Sequence, residues 1–474
     1  MTASTTGTER GAGNHFDRTM TWRAALSLAL ALPASALAVI GYWTGALGGW
    51  AASALLVVSS IIAILQNFSY AEMAAMFPDK AGGIGLYANE AWKPVFRPAG
   101  ALAAAGYWVG WSFGLSANAL VIGGLLQAQW FSDVGFMVEA GPIHLGIGHF
   151  IALLAMFAVW LLNVFGIEPA VKVSYAVNTL VVVVMVAVSV TSVVKGKFHL
   201  DNVTWSLHSA SNASPLVIAA VWLFLMGWTV YGTEIVATFT PEYRNPRSDV
   251  PKALTAAGIL SLIIFALLPV VSAGTVGEAE IAANPLGFNV AMFEQLFGPA
   301  ASLAIVVVCL SLLNLMSVCL ADSGRALYGM AESGLTIQQL GVLNRWRSPG
   351  RALTVGMIVN VGLVVFVGNL LGVVFTANLG YMTTVILTLG GYLLLRRSNI
   401  APDREFRMPS WWNRVTVLLL VINLVFFTVA ATHPTLTGYG GWKEELIAFG
   451  LLGIALALYG YHRFTGRRAG DQEE

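Results

Sequence analysis

Apolar runs of about 20 residues recur from one end of this chain to the other, and a run of that length is what an α-helix needs to cross the hydrocarbon core of a bilayer. Within that core every backbone N–H and C=O must find its partner inside the protein, so membrane-length apolar runs are read as helices. Composition agrees. Of 474 residues, 57% are hydrophobic and 10% charged, against roughly 25% charged in soluble globular chains. The sequence predicts an all-α polytopic membrane protein with twelve spans, at 22 to 42, 49 to 77, 100 to 127, 144 to 165, 169 to 195, 214 to 239, 252 to 274, 297 to 329, 352 to 370, 373 to 396, 411 to 431 and 443 to 464.

The net charge of +1 carries little information, but the placement of basic residues carries a great deal. With both termini on one side, 22 of the 25 Lys and Arg fall on that side, and only Lys195, Lys197 and Lys443 fall on the other. Cytoplasmic loops are enriched in this way. Residues 1–21 and 465–474 are therefore expected to be cytoplasmic tails of a multi-pass protein of the plasma membrane, with a bacterial cell membrane as the expected setting. Arg18 and Arg23 followed by an apolar run and Pro33-Ala34-Ser35-Ala36 imitate a cleavable secretory signal, yet apolar residues continue to Tyr42 and Trp43, past the length of a signal core.

Reactive constellations are missing from the sequence. Cys309 and Cys319 lie ten residues apart on one predicted helix, about 15 Å by helical rise, beyond disulfide reach. The histidines fall mostly in loops or at span ends without metal-ligand spacing, and no P-loop or nucleophile elbow is present. No enzyme activity, cofactor or metal is expected, nor any nucleic-acid partner. The expected partners are the lipid bilayer, a small-molecule substrate and at most a second copy of the chain, so that the protein is a monomer or a homodimer.

Chemistry concentrates in residues 227 to 254, GWTVYGTEIVATFTPEYRNPRSDVPKAL. Glu234 lies beside Gly227 and Gly232 inside an otherwise apolar span. A carboxylate at that depth costs at least ~2.5 kcal/mol and marks an ion or substrate pathway, and interrupted backbone is tolerated there only where protein or a water-filled cavity satisfies it. Span 1 carries a second irregularity at Pro33-Ala34-Ser35-Ala36. Paired interruptions in two halves of a chain point to a transporter site near the midplane. An opening of span 1 near Ser35 exposes N–H groups that suit a carboxylate, and an opening of span 6 after Met226 exposes carbonyls that suit an ammonium. Amino acids carry both groups.

Three segments carry a family resemblance: YAEMAAMFPDKAGGIGLYANEAW at 70 to 92, the span 6 stretch with its following Pro241, Pro246 and Pro251, and ADSGRALYGMAESGL at 321 to 335. The chain resembles the amino acid-polyamine-organocation permeases over nearly its whole length. The resemblance implies a LeuT-like five-plus-five inverted repeat, a transport core over 22–396 with repeats at about 22–195 and 214–396, and two further helices over 397–464. It implies substrate contacts at Ala34, Ser35, Ala36, Tyr107, Trp111, Gly227, Trp228, Tyr231 and Gly232, with Trp228 as a gate six residues before Glu234. The family's glycine-rich break in helix 1 is replaced here by Pro33-Ala34-Ser35-Ala36, with no glycine before Gly41.

The reading that follows is secondary active transport of neutral or apolar amino acids by alternating access, coupled to protons or running as exchange. Glu234 is either a structural acid hydrogen-bonded across helices or the group that titrates during the cycle. Asp322 and Arg325 read as an ion pair at i and i+3, and Glu72 as a gate or packing residue. Some members of the resembling family place a lysine in helix 5 where others bind sodium; Val181 to Val194 contains none, and Met185 sits near the matching position, which leaves a sodium-coupled symporter as an alternative with Ser317 among its ligands. Polyamine or organic-cation transport and a transporter-like nutrient sensor are the others. The topology has a direct test. Single cysteines at Thr5 and Ser348, in a background without Cys309 and Cys319, are expected to resist an impermeant thiol reagent in intact cells while one at Ser209 reacts, and labelling at Thr5 from outside would invert the orientation.

Overall fold

The computed structural model describes residues 18–470, apart from 30–31, 81, 142, 166–167, 208–212, 399 and 402. It is an array of helices: α1 (Trp22–Ala29), α2 (Leu32–Met76), α3 (Gly83–Trp92), α4 (Arg97–Ser112), α5 (Gly114–Trp130), α6 (Ile147–Val164), α7 (Glu168–Val194), α8 (Pro215–Val230), α9 (Pro246–Val276), α10 (Glu278–Ala283), α11 (Phe288–Phe297), α12 (Ala301–Glu332), α13 (Gly350–Phe366), α14 (Leu370–Ser398), α15 (Trp412–Thr432) and α16 (Trp442–Gly470). The strands are β1 (Met137–Ala140) and β2 (Ile143–Gly146), an antiparallel hairpin between α5 and α6 that the sequence does not announce. Among the described residues ten helices are long and apolar enough to cross a membrane, and Gly350–Phe366 is a shorter apolar helix. The protein is a mostly helical, multi-pass membrane protein.

Two predicted boundaries are corrected. Spans 1 and 2 are not separated by a loop at 43 to 48; a single residue inside α2, Gly48, leaves helical geometry at φ 76° and ψ 158°. Only glycine adopts that backbone readily, and a Cβ there would lie 2.6 Å from the Thr204 carbonyl. Glu278 clamps the turn, its Oε1 accepting from the N–H groups of Gly49 and Thr204, both at 2.7 Å. Nor does span 1 break at Pro33-Ala34-Ser35-Ala36, because residues 32 to 47 are helical.

The central helices approach closely. A Cβ on Gly106 of α4 would lie 2.3 Å from the Gly380 carbonyl of α14, the small-residue contact that lets membrane helices pack backbone to backbone. At one end of the bundle Glu72, fully buried near the end of α2, accepts from Arg396 at 2.9 Å, Arg404 at 2.6 Å and Tyr392 at 2.6 Å, and from the Met408 N–H at 3.1 Å. It is a structural anchor that holds the α14–α15 connection to α2. Nearby, Met20 pairs with Tyr243 as a parallel bridge: its N–H donates to the Glu242 carbonyl and its carbonyl accepts from Arg244, each at 2.8 Å.

Thr5 and Ser209 lie outside the described residues. Ser348 is buried, its hydroxyl donating to the Asn163 carbonyl at 2.8 Å, so a cysteine there resists the reagent whichever way the protein faces, and exposed Arg345 is the informative position in that loop. The anchor makes its own prediction. Glu72→Gln leaves two guanidiniums buried without a counter-charge, a class of change that costs about 3–5 kcal/mol, and a marked fall in the unfolding temperature of the purified protein is expected. An unchanged melting curve would mean that the carbonyls of Met408 and Pro409 suffice to hold Arg396.

Candidate functional site

The α-helix of α8 ends at Val230 and continues as a tighter 3₁₀ turn over Tyr231–Ala237, which carries Glu234. The local sequence explains the change. Thr229, Val230, Thr233, Ile235, Val236 and Thr238 are β-branched, stiff side chains that crowd the preceding turn of an α-helix. The opening predicted after Met226 is therefore displaced by four residues: the Gly227 carbonyl stays engaged, accepting from the Tyr231 N–H. Other helices satisfy the carbonyls of the altered stretch. Tyr381 donates to Tyr231 at 3.2 Å, Tyr243 to Val236 at 3.0 Å and Tyr87 to Ala237 at 3.0 Å, as polar backbone inside a bilayer requires.

Glu234 is fully buried and held from three sides. Its Oε1 accepts from Trp111 Nε1 at 2.8 Å and Tyr381 Oη at 2.7 Å, and its Oε2 faces Tyr107 Oη at 3.3 Å. The Tyr107 hydroxyl also lies 2.5 Å from Thr238 Oγ1 and 3.2 Å from Asp322 Oδ1. One phenol thus stands between two buried carboxyl groups, with a single proton to donate. Asp322 Oδ2 has no hydrogen-bond partner among the described residues. Arg325, expected to serve Asp322, donates through Nε to Glu242 at 2.8 Å and covers the Phe239 ring at 5.2 Å, tying α12 to the segment after the 3₁₀ turn.

Trp111 and Tyr381, which hold Glu234, also line a cavity of about 20 Å³, room for roughly one water. Leu32 and Ser35 line it from α2, Trp111 from α4, Trp228 and Thr229 from α8, and Tyr381 from α14. The Trp228 indole N–H donates to the carbonyl of Gly110, another lining residue, at 3.0 Å. The Thr229 hydroxyl is buried with no partner among the described residues. Of the predicted contacts, Ser35, Trp111 and Trp228 line this cavity, whereas Tyr107 is outside its lining and bonds Glu234. Gly232 packs on Leu32 and Trp111, where a Cβ would sit 3.1 Å and 3.4 Å away, and Gly227 lies behind the Tyr231 ring. Ala36 and Tyr231 are buried but not in its lining, and the side chain of Ala34 lies outside the described residues.

Sequence reasoning missed Tyr381, Thr229 and the bridge to Asp322. A tyrosine beside Gly380 in an apolar span was the only signal for the first. Ser317, expected among possible sodium ligands, accepts from Asn163 Nδ2 at 2.8 Å, and Met185 is buried in the core.

Known proteins extend the picture. The family model described as amino acid permease matches residues 20–460. The chain is 23% identical over 366 residues to the amino-acid permease RocE of Bacillus subtilis, covering 74% of each chain. It is 21% identical over 448 residues to the lysine-specific permease LysP of Lactococcus lactis, covering 88% of this chain and 83% of that one. It is 23% identical over 427 residues to the branched-chain amino acid permease BcaP of the same species, covering 85% and 87%.

Trp228→Ala removes an aromatic wall of the cavity and frees the Gly110 carbonyl. The variant is expected to remain monodisperse and to hold small-molecule ligands at least roughly tenfold more weakly, a loss of ~1.4 kcal/mol, measured by binding to the purified protein. Wild-type affinity in a well-expressed variant would assign the ring to packing alone.

Proposed function

The chain belongs to the amino acid permease family, and from that premise we propose that it moves neutral or apolar amino acids across the plasma membrane by alternating access, with proton movement through Glu234 as the coupled step. The observation that carries the reading is Glu234 itself, a carboxyl group on a 3₁₀ turn, bound by Tyr107 and by Trp111 and Tyr381, two side chains that also line the cavity together with Trp228. Buried acids inside membrane spans are expensive and are kept for a role. The cavity walls are largely apolar and aromatic, which suits an uncharged side chain, and Ser35, Asn118 and the unpartnered Thr229 hydroxyl are among the polar groups available to the substrate's backbone end.

In this reading the present cavity is the occluded form, too small for any amino acid. Access requires Trp228 to release Gly110. At the other end of the path the Arg325–Glu242 pair and the Met20 strap close the bundle, and both must part to open it. When a proton occupies Glu234 Oε2, that oxygen becomes a donor toward Tyr107 Oη, and the phenol's own proton then serves Asp322 Oδ1. The carboxyl groups of α12 and the 3₁₀ turn are thereby linked across one residue.

The proposed architecture counts twelve spans, dividing α2 at Gly48 and including α13. Helices 1 to 10 form repeats at about 22–195 and 214–396, helices 11 and 12 follow over 397–464, and tails 1–21 and 465–474 lie in the cytoplasm, of a bacterial cell in the first instance. We take the unit to be a monomer or homodimer with no nucleic-acid partner. In proteoliposomes, uptake or exchange is expected to be independent of sodium and sensitive to pH, and Glu234→Gln, a fixed neutral mimic, is expected to flatten the pH response even where binding survives. Collapse of uptake on replacing sodium with choline at constant pH, together with a wild-type pH profile in the Gln variant, would move the coupling to a sodium ion.

A further inference from the structure

A second hollow, of about 630 Å³, opens at the end of the bundle where α3, α4, α12 and α16 meet. Its walls carry Lys93 and Arg97 from the α3–α4 turn and Arg463 from the last turns of α16. Arg97 and Arg463 pair with no acid among the described residues, and Glu90, the acid beside Lys93, is shared at 2.7 Å with Lys93 and at 3.0 Å with Lys80. The hollow is therefore cationic. Two deeply buried side chains line it with donors left over: Asn89 is 1% exposed and Tyr459 9% exposed, and neither Asn89 Nδ2 nor Tyr459 Oη has a hydrogen-bond partner among the described residues.

Helix α4 begins at Arg97 with no side-chain cap and no acid in its first turn. Charge at that terminus is thus positive from both the side chain and the helix dipole, and an anion would complement it. The surroundings say what kind. Val95 and Phe96, between the two cations of the turn, are 62% and 56% exposed, and Phe464, next to Arg463, is 58% exposed. Apolar side chains flanking basic ones at a helix end are placed for acyl chains and headgroups together.

We propose that this hollow binds the phosphate of an anionic phospholipid, with Lys93, Arg97 and Arg463 supplying the charge and Asn89 and Tyr459 the directed hydrogen bonds. The lipid bridges the α3–α4 turn to α16, a peripheral helix that packs on α4 and α14. The site is separate from the transport cavity, and it stands whether or not the coupling reading holds.

The test is native mass spectrometry of the delipidated full-length protein, titrated with phosphatidylglycerol or phosphatidylcholine of the same acyl chains. Wild-type protein is expected to retain one phosphatidylglycerol in preference to phosphatidylcholine. Arg97→Gln with Arg463→Gln should weaken phosphatidylglycerol roughly thirty-fold and leave phosphatidylcholine unchanged, and Tyr459→Phe should weaken it several-fold. Arg247→Gln, which removes an exposed arginine paired with Glu405, should change nothing. Equal retention by wild type and both the arginine and tyrosine variants would overturn the site. Stabilisation by millimolar inorganic phosphate that the arginine variant loses, without any phosphatidylglycerol preference, would overturn the lipid and make the ligand a soluble phosphate.

Discussion

Everything at the centre of this protein depends on how seven residues of 3₁₀ backbone are kept satisfied inside a bilayer. A change of helical pitch misaligns carbonyls that water cannot reach, and each unsatisfied group costs several kcal/mol in hydrocarbon. The chain meets that cost with tyrosine hydroxyls delivered from α3, α14 and the segment after the turn itself. Those hydroxyls are not merely structural. Tyr381 serves the Tyr231 carbonyl and Glu234 together, so the side chain that steadies the backbone is also one that holds the carboxyl group. Packing and chemistry share the same atoms.

That sharing ties the two ends of the path. Tyr107 and Thr238 stand between Glu234 and Asp322, and Asp322 is one helical turn from Arg325, which pairs with Glu242, whose backbone carbonyl accepts from Met20. A change in hydrogen bonding at Glu234 therefore has a short, contiguous route to the closing contacts through discrete donors and acceptors, each with few alternative partners. Glu234, Asp322 and the Arg325–Glu242 pair are parts of one polar column running through an apolar bundle.

Much of the architecture was legible because its cause is local. Twenty apolar residues cross a bilayer wherever they occur, and a glutamate among them is conspicuous. What the residues could not announce was set by distance in space. Tyr381, Asp322 and Arg404 look ordinary in their own segments and acquire meaning only against α8 and α2. Glycine misled in a specific way: Gly227 sits inside intact α-helix, whereas the turn that divides α2 rests on the single φ of Gly48. Breaks in membrane helices follow from who can satisfy the freed backbone, and that is a property of neighbours.

The anchor at Glu72 has a consequence for how the protein is made. Its carboxylate is synthesised well before Arg396 and Arg404, which lie 324 and 332 residues further along. Synthesis at about 5–20 residues per second makes that gap a matter of many seconds, during which α2 carries an acid whose partners do not yet exist. An acid buried without its counter-charges is costly, so the bonds from the connection after α14 are a late contribution to holding that end of α2 in place.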